Sequence, residues 1–330
     1  MDSPYLLFLG DVPDQLSAKT AEGVVRWRPE RVLGQNRMEG CGADLGVADI
    51  SIPHAAAKGA KTMIVGVANS GGVLPGHWSR SIVEAMELGM DVASGLHMRL
   101  ADQPEIAEAA ARTGRKLYDV RHPTRQFPTG KGTRRTGKRL LTVGTDCSVG
   151  KMFTTLALEK EMRKRDFKAD FRATGQTGIL ITGEGVSIDA VVADFISGAV
   201  EWLSPDNDPD HWDLIEGQGS LFHPSFAGVS LGLLHGAQAD VLIMCHEPTR
   251  PHMRGIPGRA LPSIQTCIDA NLQAARLTNS AVQCIGIAVN TSGLDPAAAR
   301  DYLAATEETH GLPCVDPARD GVARLVDRLS

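Results

Sequence analysis

The chain has 330 residues, 42% apolar and 22% charged, with 34 basic and 39 acidic side chains and a net charge of −5. This length suffices for two domains with sizeable cores, and the mildly acidic balance argues against nucleic acid or an anionic membrane as a partner. No apolar run approaches a membrane span, and Cys41, Cys147, Cys245, Cys267, Cys284 and Cys314 form no C-x-x-C pair, so reduced thiols in a cytoplasmic protein without a zinc site are expected.

Taken in chain order, the first 12 residues carry an acidic Asp2 and one short apolar run, which predicts a first strand over 5–9 rather than a signal peptide. Further strands are expected over 62–67, 91–94 and 116–120, and helices over 77–88 and 104–113. Behind the strand at 62–67, Asn69, Ser70 and Gly71 open a glycine-rich turn whose backbone N–H groups suit a carboxylate ligand, although a tight structural turn would read the same way. His97 and Arg99, behind the strand at 91–94, are placed to complete that pocket; His54 reads as structural. Residues 121–138 are rich in Pro, Gly, Thr and basic side chains. They divide the chain into a domain over 1–125, a linker over 126–138 and a domain over 139–330, with the linker's cations read as a solvated connector rather than an anion site.

In the second domain the pattern predicts strands over 139–143, 168–172, 212–216, 240–245, 284–289 and 312–315. Helices are predicted over 151–165, 189–203, 263–277, 296–308 and 319–329. Strands alternating with amphipathic helices make both halves α/β with largely parallel sheets, whose ligands collect at the carboxyl ends of the strands.

The motifs lie at those ends. An apolar run enters the loop Gly144, Thr145, Asp146, Cys147, Ser148, Val149, Gly150, Lys151, and a helical segment starts at once with Met152. Backbone N–H groups, a helix N-terminus and a lysine form a phosphate cradle. Five residues separate the two glycines where the usual pattern has four, and Met152 stands where a Mg²⁺-binding hydroxyl is usual. Thr154 and Thr155 follow, either replacing that hydroxyl or bonded within the helix. Glu216, at the end of a strand, reads as a holder of metal or water, a general base, or a capping carboxylate; His223 is a second candidate for proton transfer. Arg250, Arg254 and Arg259 crowd one proline-stiffened loop with His246 and His252, and bidentate carboxylate binding is the reading favoured over a solvated loop. Thr174 and Gln176 suit ligand polar atoms; Asp189 reads equally as a helix cap, and Asn290 as a base reader or an Asx-turn.

On these residues the second domain resembles dethiobiotin synthetase and its relatives, whose loop has the form G-T-D-T-x-V-G-K-T and whose E-G-A-G matches Glu216-Gly217-Gln218-Gly219. Asn290 falls where that group places a base-reading Asn. The whole chain more specifically resembles the bacterial D-glutamate N-acetyltransferases of the DgcN type. The resemblance implies a Rossmann-like N-terminal domain, a P-loop C-terminal domain, and acetyl transfer from acetyl-CoA to the amino group of D-glutamate. Met152 departs from the dethiobiotin synthetase pattern and fits a loop adapted to the phosphates of coenzyme A. The expected site is therefore Gly144–Lys151 with Met152 on acetyl-CoA, Glu216 or His223 as general base, and Arg250, Arg254, Arg259 with Asn69, Ser70 and Gly71 on the acidic amino acid. Cys147 as a covalent acetyl carrier is the less favoured route. No metal is expected, and a homo-oligomer is. The alternatives are an ATP-dependent ligase or kinase with Mg²⁺ on Glu216, Asp146 and Thr155, and a non-catalytic nucleotide or metabolite sensor.

Overall fold

The computed structural model describes residues 1–68 and 72–329. The chain forms two compact units, one of Met1–Thr124 with Gly175–Ala190, the other of Arg125–Thr174 with Val191–Ser330.

The first unit is built on β1 (Tyr5–Gly10), α1 (Lys19–Trp27), β2 (Val32–Arg37), α2 (Ile52–Ala57), β3 (Thr62–Val65), α3 (Ser79–Glu87), β4 (Asp91–Ser94), α4 (Pro104–Thr113) and β5 (Leu117–Asp119). Its five strands run parallel in the order β2-β1-β3-β4-β5. Tyr5, Leu6, Leu7, Phe8 and Leu9 are all fully buried, as a central strand covered on both faces requires, which explains the unbroken apolar run. The sequence reading missed α1 and β2. β2 is an edge strand whose polar side chains are satisfied by the segment after it: Gln35 donates to Asp44 (2.8 Å) and Asn36 to the carbonyl of Ile50 (2.9 Å). A strand that pairs its amides this way shows no apolar alternation.

The second unit contains β6 (Lys138–Gly144), α5 (Lys151–Lys164) and β7 (Ala169–Arg172), then α7 (Ile196–Leu203), β8 (Trp212–Ile215), α8 (Ala227–Ala237) and β9 (Val241–His246). It closes with α9 (Ile264–Ala275), β10 (Gln283–Val289), α10 (Pro296–His310), β11 (Cys314–Val315) and α11 (Ala323–Val326). Six parallel strands lie in the order β11-β10-β9-β6-β8-β7. Leu140, Leu214 and Ile243 from the sheet meet Leu158 and Met162 of α5 and Leu325 of α11 in its core. The helix expected over 189–203 is two 3-10 turns, Ile188–Ala190 and Ala193–Phe195, before α7 begins. α8 was missed because three glycines and uniform apolarity hide its period. At Gly236 a Cβ would stand 2.4 Å from the Ser197 carbonyl, so close helix packing demands the glycine there.

Between β7 and α7 the chain makes α6 (Gln176–Thr182), which belongs to the first unit. Gly23 of α1 packs on Ile181 and Thr177, Arg31 donates to the Thr182 carbonyl (2.6 Å), and the N-terminal ammonium donates to the Gly183 carbonyl (2.8 Å).

Within the linker Arg134 is exposed, as a solvated connector would have it, but Arg135 is not. Arg135 donates to the carbonyls of Glu201 (3.0 Å) and Ser204 (2.7 Å) at the end of α7, and of Gly236 (2.6 Å) and Ala237 (3.2 Å) at the end of α8. One guanidinium thus serves the orphan carbonyls of two helix C-termini, where a cation also meets the negative ends of both dipoles. Burial pulls its pKa down to about 10. Arg139, almost fully buried, donates to the carbonyls of Thr136 and Arg135 and knots the linker to the start of β6.

Among the described residues no helix is long and apolar enough to cross a membrane. All six cysteines are free thiols.

Candidate functional site

The carboxyl edge of the six-stranded sheet carries the glycine loop. β6 ends at Gly144, the Thr145 N–H donates across to the Cys245 carbonyl of β9 (3.1 Å), and α5 begins at Lys151 behind Gly150, which offers no side-chain cap. The N–H groups of Lys151 and Met152 stand at this uncapped helix start, the position at which helices receive anions. Lys151 is buried, and its one hydrogen bond among the described residues runs to the Asp146 carbonyl (2.9 Å). An ammonium has three donors. Burial pushes the Lys151 pKa below its usual value, opposed by Cys245, Cys147, Asp146 and Glu216. A cation with donors to spare, held out of water at a helix N-terminus, is what a phosphate group completes.

Asp146 stiffens the loop. One oxygen accepts the Cys147 N–H (2.7 Å); the other accepts the Arg254 N–H (2.8 Å) and Nη1 of Arg250 (2.7 Å). Burial alone would raise its pKa, but the Arg250 guanidinium and the two N–H donors hold the carboxyl below its usual range. Arg250 also donates to the carbonyls of Cys147 (2.6 Å) and Ser148 (3.2 Å) and to Glu247 (2.5 Å). Its guanidinium is therefore bound within the chain and turns two loop carbonyls toward itself. It is not an open clamp for a substrate carboxylate. Arg254 and Arg259 differ: both are exposed, Arg254 has no side-chain bond among the described residues, and Arg259 makes one long contact to the Phe222 carbonyl (3.4 Å).

Glu216, nearly fully buried behind β8, accepts the Thr174 N–H (2.9 Å) and receives the Thr174 hydroxyl on its carbonyl (2.7 Å). His223 is brought to the loop, and Asp146, Cys147 and His223 have atoms within 4.8 Å of one another. Both of its nitrogens are occupied, however. Nδ1 accepts the Ser225 N–H (3.2 Å), which leaves the proton on Nε2 to donate to the Arg254 carbonyl (3.0 Å). With no lone pair open, His223 is a brace for the Arg254 turn rather than the expected base. Burial pushes the Cys147 thiol up, which disfavours a thiolate there.

Thr154 and Thr155 are bonded within the helix: Thr154 donates to the Gly150 carbonyl (2.9 Å) and Thr155 to that of Lys151 (2.8 Å). Asn290 makes an Asx-turn to the Ser292 N–H (3.1 Å), and Asp189 pairs with Arg121 (3.7 Å). Asn69, Ser70 and Gly71 lie outside the described residues. One histidine that the sequence reading grouped with the arginine loop belongs instead to the end of the sheet. His246, the last residue of β9, meets the Thr145 hydroxyl through Nδ1 (2.9 Å) and stacks on Tyr302, and burial lowers its pKa to about 4. Its only sequence signal was a histidine closing a buried strand.

A glycine loop closed by a buried lysine on an all-parallel sheet defines a P-loop unit, and the five-stranded unit is Rossmann-like. The chain belongs to the family described as Domain of unknown function (DUF1611): its P-loop domain matches residues 126–326 and its Rossmann-like domain residues 33–123. Across 330 residues the chain is 54% identical to a protein of Tritonibacter scottomollicae named D-glutamate N-acetyltransferase, covering 100% of this chain and 99% of that one. It is also 54% identical, over 326 residues, to a Pseudoalteromonas protein of the same name, covering 99% and 98% of the two chains. The crystal structure of a DUF1611 family protein from Anabaena variabilis superposes with a TM-score of 0.84 at 30% identity, covering 99% of each chain.

Proposed function

We infer that this chain is an N-acetyltransferase acting on the amino group of D-glutamate, with acetyl-CoA as the donor. The observation that carries the reaction is 54% identity along the full length to two proteins named for it. The donor assignment is supported by the buried Lys151 ammonium, which keeps N–H donors for a phosphate of coenzyme A. The loop over Gly144–Lys151 supplies backbone N–H groups to the same phosphate, and Met152 adds no metal-binding hydroxyl. Glu216 is one of the groups whose charge opposes the effect of burial on Lys151, after Cys245, Cys147 and Asp146. Arg254 and Arg259, free of strong internal partners, take the acceptor's carboxylates. The ligase alternative is weakened by its own donor set: Asp146 is paired with Arg250, and Thr155 donates within its helix.

The test is thiol release from acetyl-CoA with D-glutamate, L-glutamate, both aspartates and a carboxylate-free amine. D-Glutamate is expected to be fastest. Equal rates with the carboxylate-free amine would remove the arginine clamp. Absence of thiol release with every acidic amino acid would overturn the reaction.

A further inference from the structure

Behind β8 the chain runs Glu216, Gly217, Gln218, Gly219, Ser220, and this turn is tied to the glycine loop on both sides of Gln218. A Cβ at Gly217 would stand 1.7 Å from the Thr142 carbonyl oxygen and 2.9 Å from Cδ of Lys151, so only glycine lets the turn pass the lysine. The Gly217 N–H donates to the Thr142 hydroxyl of β6 (3.0 Å), and the Ser220 hydroxyl donates to the Thr145 carbonyl (3.2 Å). Between them the Gln218 carbonyl accepts the Ser230 hydroxyl of α8 (2.7 Å). The backbone of Gln218 is thereby fixed next to the residue that packs on Lys151, and every group named lies in the second unit.

A chain of hydrogen bonds also fixes which way the side-chain amide is turned. The Thr174 hydroxyl gives its single proton to the Glu216 carbonyl (2.7 Å), so toward Gln218 it can only accept. The atom 3.2 Å from it is Nε2 of Gln218; the reversed amide would set Oε1 against a lone pair. Oε1 is thus left without a partner among the described residues, on a half-buried side chain. An amide oxygen accepts and never donates. Beside a loop that holds phosphate, such an oxygen is poorly matched to a polyphosphate chain, whose oxygens are acceptors as well. It matches a phosphate ester whose next groups carry donors. Coenzyme A is of that kind: beyond its diphosphate the pantetheine arm offers a hydroxyl and amide N–H groups.

We propose that Gln218 selects coenzyme A over plain nucleotides on this loop, its Oε1 accepting a hydrogen bond from the pantetheine arm where the arm leaves the diphosphate. The proposal rests on the reading that the glycine loop binds the acetyl donor. It adds a residue that tells this donor from other ligands with the same phosphates, a distinction that Lys151 and the loop N–H groups cannot make, since they meet phosphate alone.

The experiment is calorimetry on the full chain with coenzyme A, dephospho-coenzyme A and ADP, comparing wild type with Gln218→Ala and Gln218→Met. Dephospho-coenzyme A is ADP carrying the pantetheine arm, so the last two ligands differ by the arm alone. Both variants are expected to weaken the two arm-bearing ligands about three- to tenfold, the size of one neutral hydrogen bond, and to leave ADP within about twofold. Methionine keeps the length of the side chain, so a loss shared with alanine follows the amide and not the filled space. Retained ADP binding shows that the loop of each variant is folded. Unchanged affinity for coenzyme A in both variants overturns the assignment, as does an equal loss for ADP. Lys151→Ala separates this role from the reading it rests on. Coenzyme A affinity that falls in Lys151→Ala yet holds in both Gln218 variants keeps the donor on the loop and removes the role of Gln218. Affinity indifferent to all three substitutions takes the donor off the loop and removes both.

Discussion

Replacing Arg250 with alanine tests whether the glycine loop is held by a buried ion pair. The Asp146 carboxylate has no exposed surface and the Arg250 side chain is 15% exposed, so the pair is not a solvated surface bridge. Removing one partner of a buried pair leaves an uncompensated charge and costs about 3–5 kcal/mol. Asp146 keeps the N–H donors of Cys147 and Arg254, which argues for the lower end, about 3 kcal/mol. The assay is urea unfolding of both forms at pH 7 and at falling pH. The folded pKa of Asp146 lies below its unfolded value. The pair's contribution is therefore complete above the unfolded carboxylate range, near pH 4, and disappears as pH falls through the folded value. The two stability curves should converge in strong acid. Replacing both residues, Arg250→Met with Asp146→Asn, should recover part of the loss, because the orphaned charge is gone. A loss below about 1 kcal/mol at pH 7, the size of an exposed pair, would refute the reasoning.

On the proposed coenzyme A site, Lys151→Ala would remove a charge-assisted phosphate contact of about 1.5–3 kcal/mol, so calorimetry should show acetyl-CoA binding weakened by about one to two orders of magnitude. Unchanged affinity would take the donor phosphate off this loop. Because Met152 supplies no hydroxyl and Asp146 and Thr155 are bonded within the chain, thiol release should persist in excess EDTA. Loss of turnover in EDTA, with recovery on adding Mg²⁺, would contradict that.

The largely apolar strands β1, β6 and β9 were legible from their apolar runs, and the loop that follows β6 because local signals coincide there: an apolar run, then glycines, then a lysine opening a helix. Asp11, the residue after β1, lies 3.0 Å from Nε2 of His77, and this pair left no such trace, since its members are 66 positions apart and meet only because parallel strands align their ends. The role of Arg250 was misread for a related reason. A proline-stiffened arginine cluster looks the same whether its guanidinium faces a ligand or a buried aspartate 104 positions upstream. Arg135 shows the limit from the other side. Composition marked its segment as a linker, and composition carries no record of the carbonyls that two distant helix ends leave unpaired.

The excursion of α6 into the first unit bears on how such a gene can change. A unit whose residues are contiguous can be cut out, duplicated or fused to another partner by one recombination event at each end. Here any exchange that carries the P-loop sheet from residue 125 onward also carries Gly175–Ala190, a piece that completes the other unit. A transplanted P-loop segment would arrive with a helix cut off from α1, on which it packs, and the donor's remaining half would lack the element that covers Gly23. Crossovers inside the chain are thus penalised on both products, and inheritance favours the two units as one cassette. The relatives matched over nearly their whole length, in bacteria as different as Tritonibacter, Pseudoalteromonas and Anabaena, carry the pair together.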